Sequence, residues 1–127
     1  MSIQSKIDKV IKSLGSINIQ DFVEISNFDK DGFYNLNEKE KISKSGHFIT
    51  TPEITSLFGY CLCNQFLNHF PDTKLVHLVE LGPGNGTLTS DILEYLVQKK
   101  IKVSKISFIE NICFFKKKIK IKFSREI

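Results

Sequence analysis

Leu78-Val79-Glu80-Leu81-Gly82-Pro83-Gly84-Asn85-Gly86-Thr87 decides how this chain is read. Leu75 and Val76 lie just ahead of it, and the near-continuous apolar run predicts a strand over 74–81. Such a run is typical of a parallel strand buried on both faces. Three alternating glycines then turn the chain. A helix is predicted over 87–98, with Leu88, Ile92, Leu93, Leu96 and Val97 inward. A second strand is predicted over 106–110. The loop spacing is G-x-G-x-G. A dinucleotide fingerprint would need its third glycine at Thr87, and a phosphate-cradling P-loop would need Gly-Lys-Ser/Thr after the glycines. Neither is present.

Upstream, the chain reads as helical. Ile3, Ile7, Val10, Ile11 and Leu14 form one apolar face, closed by Gly15 at a C′ position. Asn18 suits the cap of a second short helix carrying Ile19, Phe22, Val23 and Ser26. Residues 27–47 are polar and read as a loop, with a turn at Asp31-Gly32 and a short extended piece at Phe33-Tyr34. Thr50-Thr51-Pro52-Glu53 predicts a helix start: either threonine can cap, Pro52 suits the first turn, and Thr50 with Glu53 fits a capping box. Ile54, Leu57, Phe58, Cys61, Leu62 and Phe66 continue one helical stripe to about His69. Helices followed by strand, loop, helix and strand indicate an α/β class, the start of a doubly wound sheet. Residues 119–123 alternate like a strand but follow three lysines, and periodicity assigns them no element.

At 127 residues the chain is one domain at most and long enough to bury a core. It has no apolar run of about eighteen residues, which excludes a membrane helix, and its first residues lack the apolar core of a secretory signal. The formal charge of +4 is concentrated. Lys116, Lys117, Lys118, Lys120, Lys122 and Arg125 crowd residues 112–127 against Glu126 alone, which leaves the body near neutral. A nucleic-acid footprint would spread over a folded face, so no nucleic-acid partner is expected. The lysines at 116–118 read as a solvated helix face or a disordered end. Cys61, Cys63 and Cys113 make no disulfide framework and no zinc pattern, so reduced thiols and no metal are expected. His47, His69 and His77 have no nucleophile or carboxylate at a revealing spacing, and His77 reads as a core or edge residue of its strand.

The chemistry therefore rests on the loop. Gly82 and Gly84 allow a sharp turn and a close approach of backbone to ligand, and Gly86 allows tight helix–strand packing. Glu80 ends an apolar strand, where an unpaired carboxylate is costly; a ligand ammonium or backbone N–H groups could satisfy it. Glu110 ends the second strand, and an acid there can accept hydrogen bonds from ribose hydroxyls. This glycine spacing points to S-adenosyl-L-methionine as the cofactor, bound by Glu80, Gly82, Gly84, Gly86 and Glu110. No catalytic base is identified.

Two separated segments resemble one family. Residues 46–59, Gly-His-Phe-Ile-Thr-Thr-Pro-Glu-Ile-Thr-Ser-Leu-Phe-Gly, are similar to a G-D-F-[IV]-T-[AS]-P-E-I-S-Q-x-F-G signature. Residues 78–88 with Asp91-Ile92-Leu93 are similar to V-E-L-G-P-G-x-G-T-L followed by D-I-L. Asp21-Phe22-Val23 and Gly32-Phe33-Tyr34 fit an earlier F-M…G-Y-Y region. Together they resemble the MidA family of class I methyltransferases, over roughly residues 5–111. The resemblance implies a Rossmann-like fold, S-adenosyl-L-methionine as cofactor and a protein substrate. It also implies protein arginine methylation, linked in mitochondrial members to respiratory complex I assembly. Thr50, Pro52 and Glu53 would border the cofactor pocket. His47, Ser56 and Tyr60 depart from the signature's Asp, Gln and Glu.

The resulting expectation is an N-terminal helical region (1–73), the start of a Rossmann-like cofactor domain (74–111) and an atypical basic tail (112–127). Family members are several times longer, so the chain is expected to be a truncated portion, inactive alone. The alternative is a non-enzymatic remnant, or one half of a split methyltransferase whose fold a second chain completes. The expected location is the bacterial cytoplasm, or the mitochondrial matrix in a eukaryote, with no membrane partner.

Overall fold

The chain divides into two units, Met1–Lys39 and Glu40–Ile127, and a computed structural model describes residues 1–35, 46 and 48–123. The polar run at 36–45, His47 and the last four residues lie outside the described residues.

In the first unit, α1 spans Ile3–Leu14 and α2 spans Ile19–Val23. Ser2 caps α1 by accepting the Ser5 N–H at 3.2 Å, and Asn18 caps α2 by accepting the Asp21 N–H at 2.8 Å. Gly15 ends α1 in the left-handed region at φ 78°, as its place after Leu14 predicts. A π-helical turn, Glu24–Phe28, extends α2. Phe33 and Tyr34 are not extended: their N–H groups return to the carbonyls of Ser26 and Asn27, which closes a turn. Phe28 stacks on Tyr34 beside it. Lys6 pairs with Asp29 and Asp31, and the contact holds the Asp29 carboxyl below its usual range.

In the second unit, the single helix expected from Thr50 to His69 is two helices, α3 (Thr51–Ile54) and α4 (Leu57–His69). Thr55 breaks them with extended backbone, φ −156° and ψ 140°, and its hydroxyl accepts the Leu57 N–H at 3.2 Å. A β-branched residue able to bond its own backbone competes well with helix at such a point. The apolar stripe through Leu57, Phe58, Leu62 and Phe66 is exposed; the buried positions of α4 are Gly59 and Cys63. Gly59 explains the rotation. A Cβ there would lie 2.8 Å from the Asp91 Cβ, so only glycine lets α4 come this close to the next helix, α5 (Thr87–Gln98).

β1 (Leu75–Leu81) and β2 (Lys102–Ile109) pair in parallel through α5 (Thr87–Gln98), with Leu78 opposite Ile106 and Glu80 opposite Phe108. β1 is not buried on both faces. Leu75, Val79 and Leu81 are exposed, as is Ile109 of β2, while Val76, Leu78 and Ile106 turn inward. His77 lies on the exposed face and bonds Ser107 across the strands at 2.9 Å. Val97, expected inward on α5, is also exposed.

Residues 113–122 form α6. Ile112, Phe115, Ile119 and Phe123 are buried on one side of it, whereas Ile121 is 77% exposed. A strand would have put residues 119, 121 and 123 on one face. The core selects the 3.6-residue period because those four side chains each contribute about 1.5–3 kcal/mol by leaving water. Lys116, Lys117 and Lys120 take the solvent side, one of the two readings open for the tail.

Candidate functional site

β1 delivers the chain to a loop in which Gly82, Gly84 and Gly86 all occupy the left-handed region, at φ 62°, 54° and 68°. Residues with a Cβ adopt that conformation at a cost of about 1–2 kcal/mol each, so the alternating glycines are what permit the path. The Gly82 N–H donates to the Ile109 carbonyl at 2.8 Å, which extends the parallel pairing one step past β1. Gly86 caps α5 and closes a turn by donating to the Pro83 carbonyl at 2.7 Å.

A concavity of about 250 Å³ lies at this carboxyl end of β1. Thr50, Pro52 and Glu53 form one side, and Glu80, Gly82, Gly84, Asn85 and Thr87 form the other. Open α/β sheets place ligands at this end of their strands. Nothing lies within 4 Å of where a Gly82 Cβ would project, so the loop backbone faces open space there.

The Thr50–Glu53 capping box does not form. Thr50 makes no side-chain cap bond, and the Glu53 carboxylate instead accepts from Thr87 Oγ1 at 2.6 Å and from Asn85 Nδ2 at 3.2 Å. The break at Thr55 leaves α3 a single turn, and Glu53 spans from it to the loop.

Glu80 is satisfied internally. Thr89, 1% exposed, gives it both its hydroxyl and its backbone N–H from the first turn of α5. Burial still pushes the Glu80 carboxyl above the usual carboxylate range, opposed by those hydrogen bonds and by Lys122. Burial raises Asp91 as well, followed by the nearby Glu94 charge, and among the described residues its Oδ2 has no hydrogen-bond partner.

Gly86 works differently from its expected helix–strand role. Phe123, at the end of α6, packs over it so closely that a Cβ on Gly86 would lie 2.7 Å from the ring. Phe123 also meets Phe108, with ring centroids 4.9 Å apart. Lys122 donates to the carbonyls of Asn85 and Gly86, each at 3.1 Å, and Lys118 donates to Asn85 Oδ1 at 2.9 Å. Burial lowers the Lys122 ammonium below its ordinary value, with Glu53, Asp91 and Glu80 opposing.

Glu110 is not part of the concavity. Its carboxylate accepts the Ile112 N–H at 2.8 Å, ahead of α6, and it lines a separate cavity of about 330 Å³ with Phe108, Lys116 and Lys120. The loop nevertheless comes near, because Ile109, which accepts from Gly82, is its neighbour. Sequence reasoning had not singled out Thr89 or Phe123, and it read Lys118 and Lys122 only as part of a basic tail, not as partners of the loop. The helical spacing of Ile112, Phe115, Ile119 and Phe123 is the signal that could have found α6. Among the described residues, no group of three His, Cys, Asp or Glu side chains could hold a metal ion, and no helix is long and apolar enough to cross a membrane.

Residues 61–120 match the model of a family described as "Putative S-adenosyl-L-methionine-dependent methyltransferase", so the match runs into α6. The mitochondrial protein arginine methyltransferase NDUFAF7 of mouse is 37% identical over 92 residues, which is 69% of this chain and 21% of that protein. Its zebrafish counterpart is 42% identical over 72 residues, 54% of this chain and 17% of that protein. A crystal structure of a COG1565 superfamily member from Burkholderia thailandensis, bound to S-adenosyl-homocysteine, superposes with a TM-score of 0.69 at 19% identity. That superposition covers 94% of this chain and 33% of that one. The chain thus spans about a fifth of the mouse relative it matches. Over residues 61–120, which run from α4 through the glycine loop into α6, it is similar to the family of S-adenosyl-L-methionine-dependent methyltransferases.

Proposed function

We propose that this chain carries the cofactor-loop portion of an S-adenosyl-L-methionine-dependent methyltransferase acting on arginine side chains of a protein substrate. The observation that supports the reading best is the concavity at the end of β1, where Gly82 presents bare backbone to open space opposite Glu53 and Pro52. The residues fit such a cofactor. Glycines give close backbone approach, Glu53 and Glu80 suit a cationic ligand, and Glu110 stands at the same end of the sheet for a ribose. At about 250 Å³ the concavity is smaller than the roughly 300–1,000 Å³ usual for ligand pockets, so it suits part of a nucleotide-sized molecule.

The cofactor would supply an activated methyl group. The chain's own residues would bind and orient it: Gly82 and Gly84 by backbone approach, and Glu53 by holding Thr87 and Asn85 in place. Positioning of this kind supplies much of the rate in a direct transfer, without a covalent intermediate on the protein. The relatives' mitochondrial names support a mitochondrial location if the source is eukaryotic.

Titration of S-adenosyl-homocysteine into the isotopically labelled chain tests the reading. The expected result is weak, saturable binding that shifts the amides of residues 82–87 and is lost in Gly84→Val. Saturable NADH binding with no response to S-adenosyl-homocysteine would refute it.

A second reading rests on the exposed sheet face of Leu75, Val79, Leu81 and Ile109. Uncovered apolar sheet is normally buried in a finished domain. In this reading a second chain completes the fold, and the isolated chain is inactive until it binds. Sedimentation of the pure chain as a well-behaved monomer, without added partner, would count against that.

A further inference from the structure

We propose that Lys122 is a positioning residue for the glycine loop. Its ammonium, held by the carbonyl oxygens of Asn85 and Gly86, sets the loop conformation on which cofactor binding depends. This rests on the cofactor reading above. The carbonyls it holds belong to the last two residues before α5, each 3.1 Å from Nζ. The Gly86 carbonyl also accepts the Ser90 N–H at 3.2 Å and the Ser90 hydroxyl at 2.9 Å, so the first turn of α5 orients that peptide and Lys122 ties it, together with the Asn85 carbonyl, to α6.

Lys122 ends α6, where a cation suits that helix's own dipole, but its ammonium also lies against the start of α5. A cation beside the N-terminus of α5 opposes the helix dipole, and partial burial disfavours its charge further. What offsets this is the pair of charge-assisted bonds to the loop, together with the surrounding Glu53, Asp91 and Glu80 carboxylates. Two further contacts act on the same two residues. Phe123 fills the space that a Gly86 side chain would take, and Lys118 holds Asn85 Oδ1 while Glu53 accepts from Asn85 Nδ2. Asn85 is thereby bridged between α3 and α6.

The test uses the full chain and two variants. Lys122→Met keeps the aliphatic stem and removes the donors; Lys122→Arg restores donors. In the absence of ligand, Lys122→Met is expected to speed amide exchange at residues 86–90 by about tenfold, with α1 unchanged as an internal reference. Its affinity for S-adenosyl-homocysteine should fall by about tenfold, with Lys122→Arg within about threefold of the parent. Unchanged loop exchange in a folded Lys122→Met chain would overturn the inference, and so would parent-like affinity. If the parent binds no S-adenosyl-homocysteine, the cofactor reading fails separately and the exchange result alone decides the loop role. If Lys122→Met does not fold, nitrogen-detected spectra of the parent decide: Lys122 ammonium protons protected from solvent support the clamp, and protons as labile as those of Lys99 overturn it.

Discussion

Thr87 donates its hydroxyl hydrogen to Glu53 Oε1 at 2.6 Å, so the first residue of α5 is fastened to α3, 34 positions earlier in the chain. The same oxygen accepts from Asn85. One carboxylate therefore ties together the two sequence segments that carry the family resemblance.

Removing that carboxylate leaves two donors without their acceptor. Glu53→Ala is expected to lower stability by about 1.5–3 kcal/mol, the usual worth of hydrogen bonds to a charged group. Glu53→Gln, which keeps an acceptor oxygen, should lose less. Urea titration followed by circular dichroism measures both, and equal losses would show that the carboxylate charge is immaterial.

Gly82 and Gly86 share a left-handed φ but differ in what surrounds them. Gly82→Ala should cost only the conformational term, about 1–2 kcal/mol. Gly86→Ala adds a collision with Phe123, and overpacking of that kind costs about 1–3 kcal/mol more. The ordering can be read from thermal midpoints. Indistinguishable midpoints would mean that Phe123 gives way freely.

The register of α6 can be checked at two isoleucines. Ile119 is 5% exposed and Ile121 is 77% exposed. Ile119→Ala should lose about 2–5 kcal/mol, and Ile121→Ala no more than about 0.5 kcal/mol. Comparable losses at both positions are what a strand at 119–123 would produce.

The two units should respond oppositely to acid. Glu80 and Asp91 have raised carboxyl pKa values in the fold, so the native state binds more protons than the unfolded chain as pH drops from 7. Their burial penalty, fully present above the folded pKa, is relieved on the way down toward about pH 4. The second unit therefore gains stability in mild acid from these groups, and Glu80→Gln should flatten that rise. Asp29 is lowered by Lys6, so its contribution is present above the unfolded pKa and is lost as pH falls through the folded one. Amide exchange at pH 5 and pH 7, followed separately in α1 and α5, distinguishes the two slopes.

Sequence alone determined the elements whose signals are local. The glycine spacing at 82, 84 and 86 located the β1–α5 turn because left-handed backbone requires glycine, and α5 ends at Gln98 as its periodicity predicts. Asn18 and Gly15 cap through neighbours within four residues, which is legible in a linear string. Tertiary structure decided what depended on distant partners. The stripe on α4 and the alternation at 119–123 were both plausible faces, but which side chains leave water depends on what packs opposite. Gly59 against Asp91 turned α4, and the burial of Ile112, Phe115, Ile119 and Phe123 on one side selected a helix for α6. Glu53 satisfied the rules of a capping box and was drawn away by Thr87 and Asn85, stronger partners than its own backbone. Local hydrogen-bonding geometry is encoded by short-range residue identity, whereas the choice among competing partners belongs to the packed core.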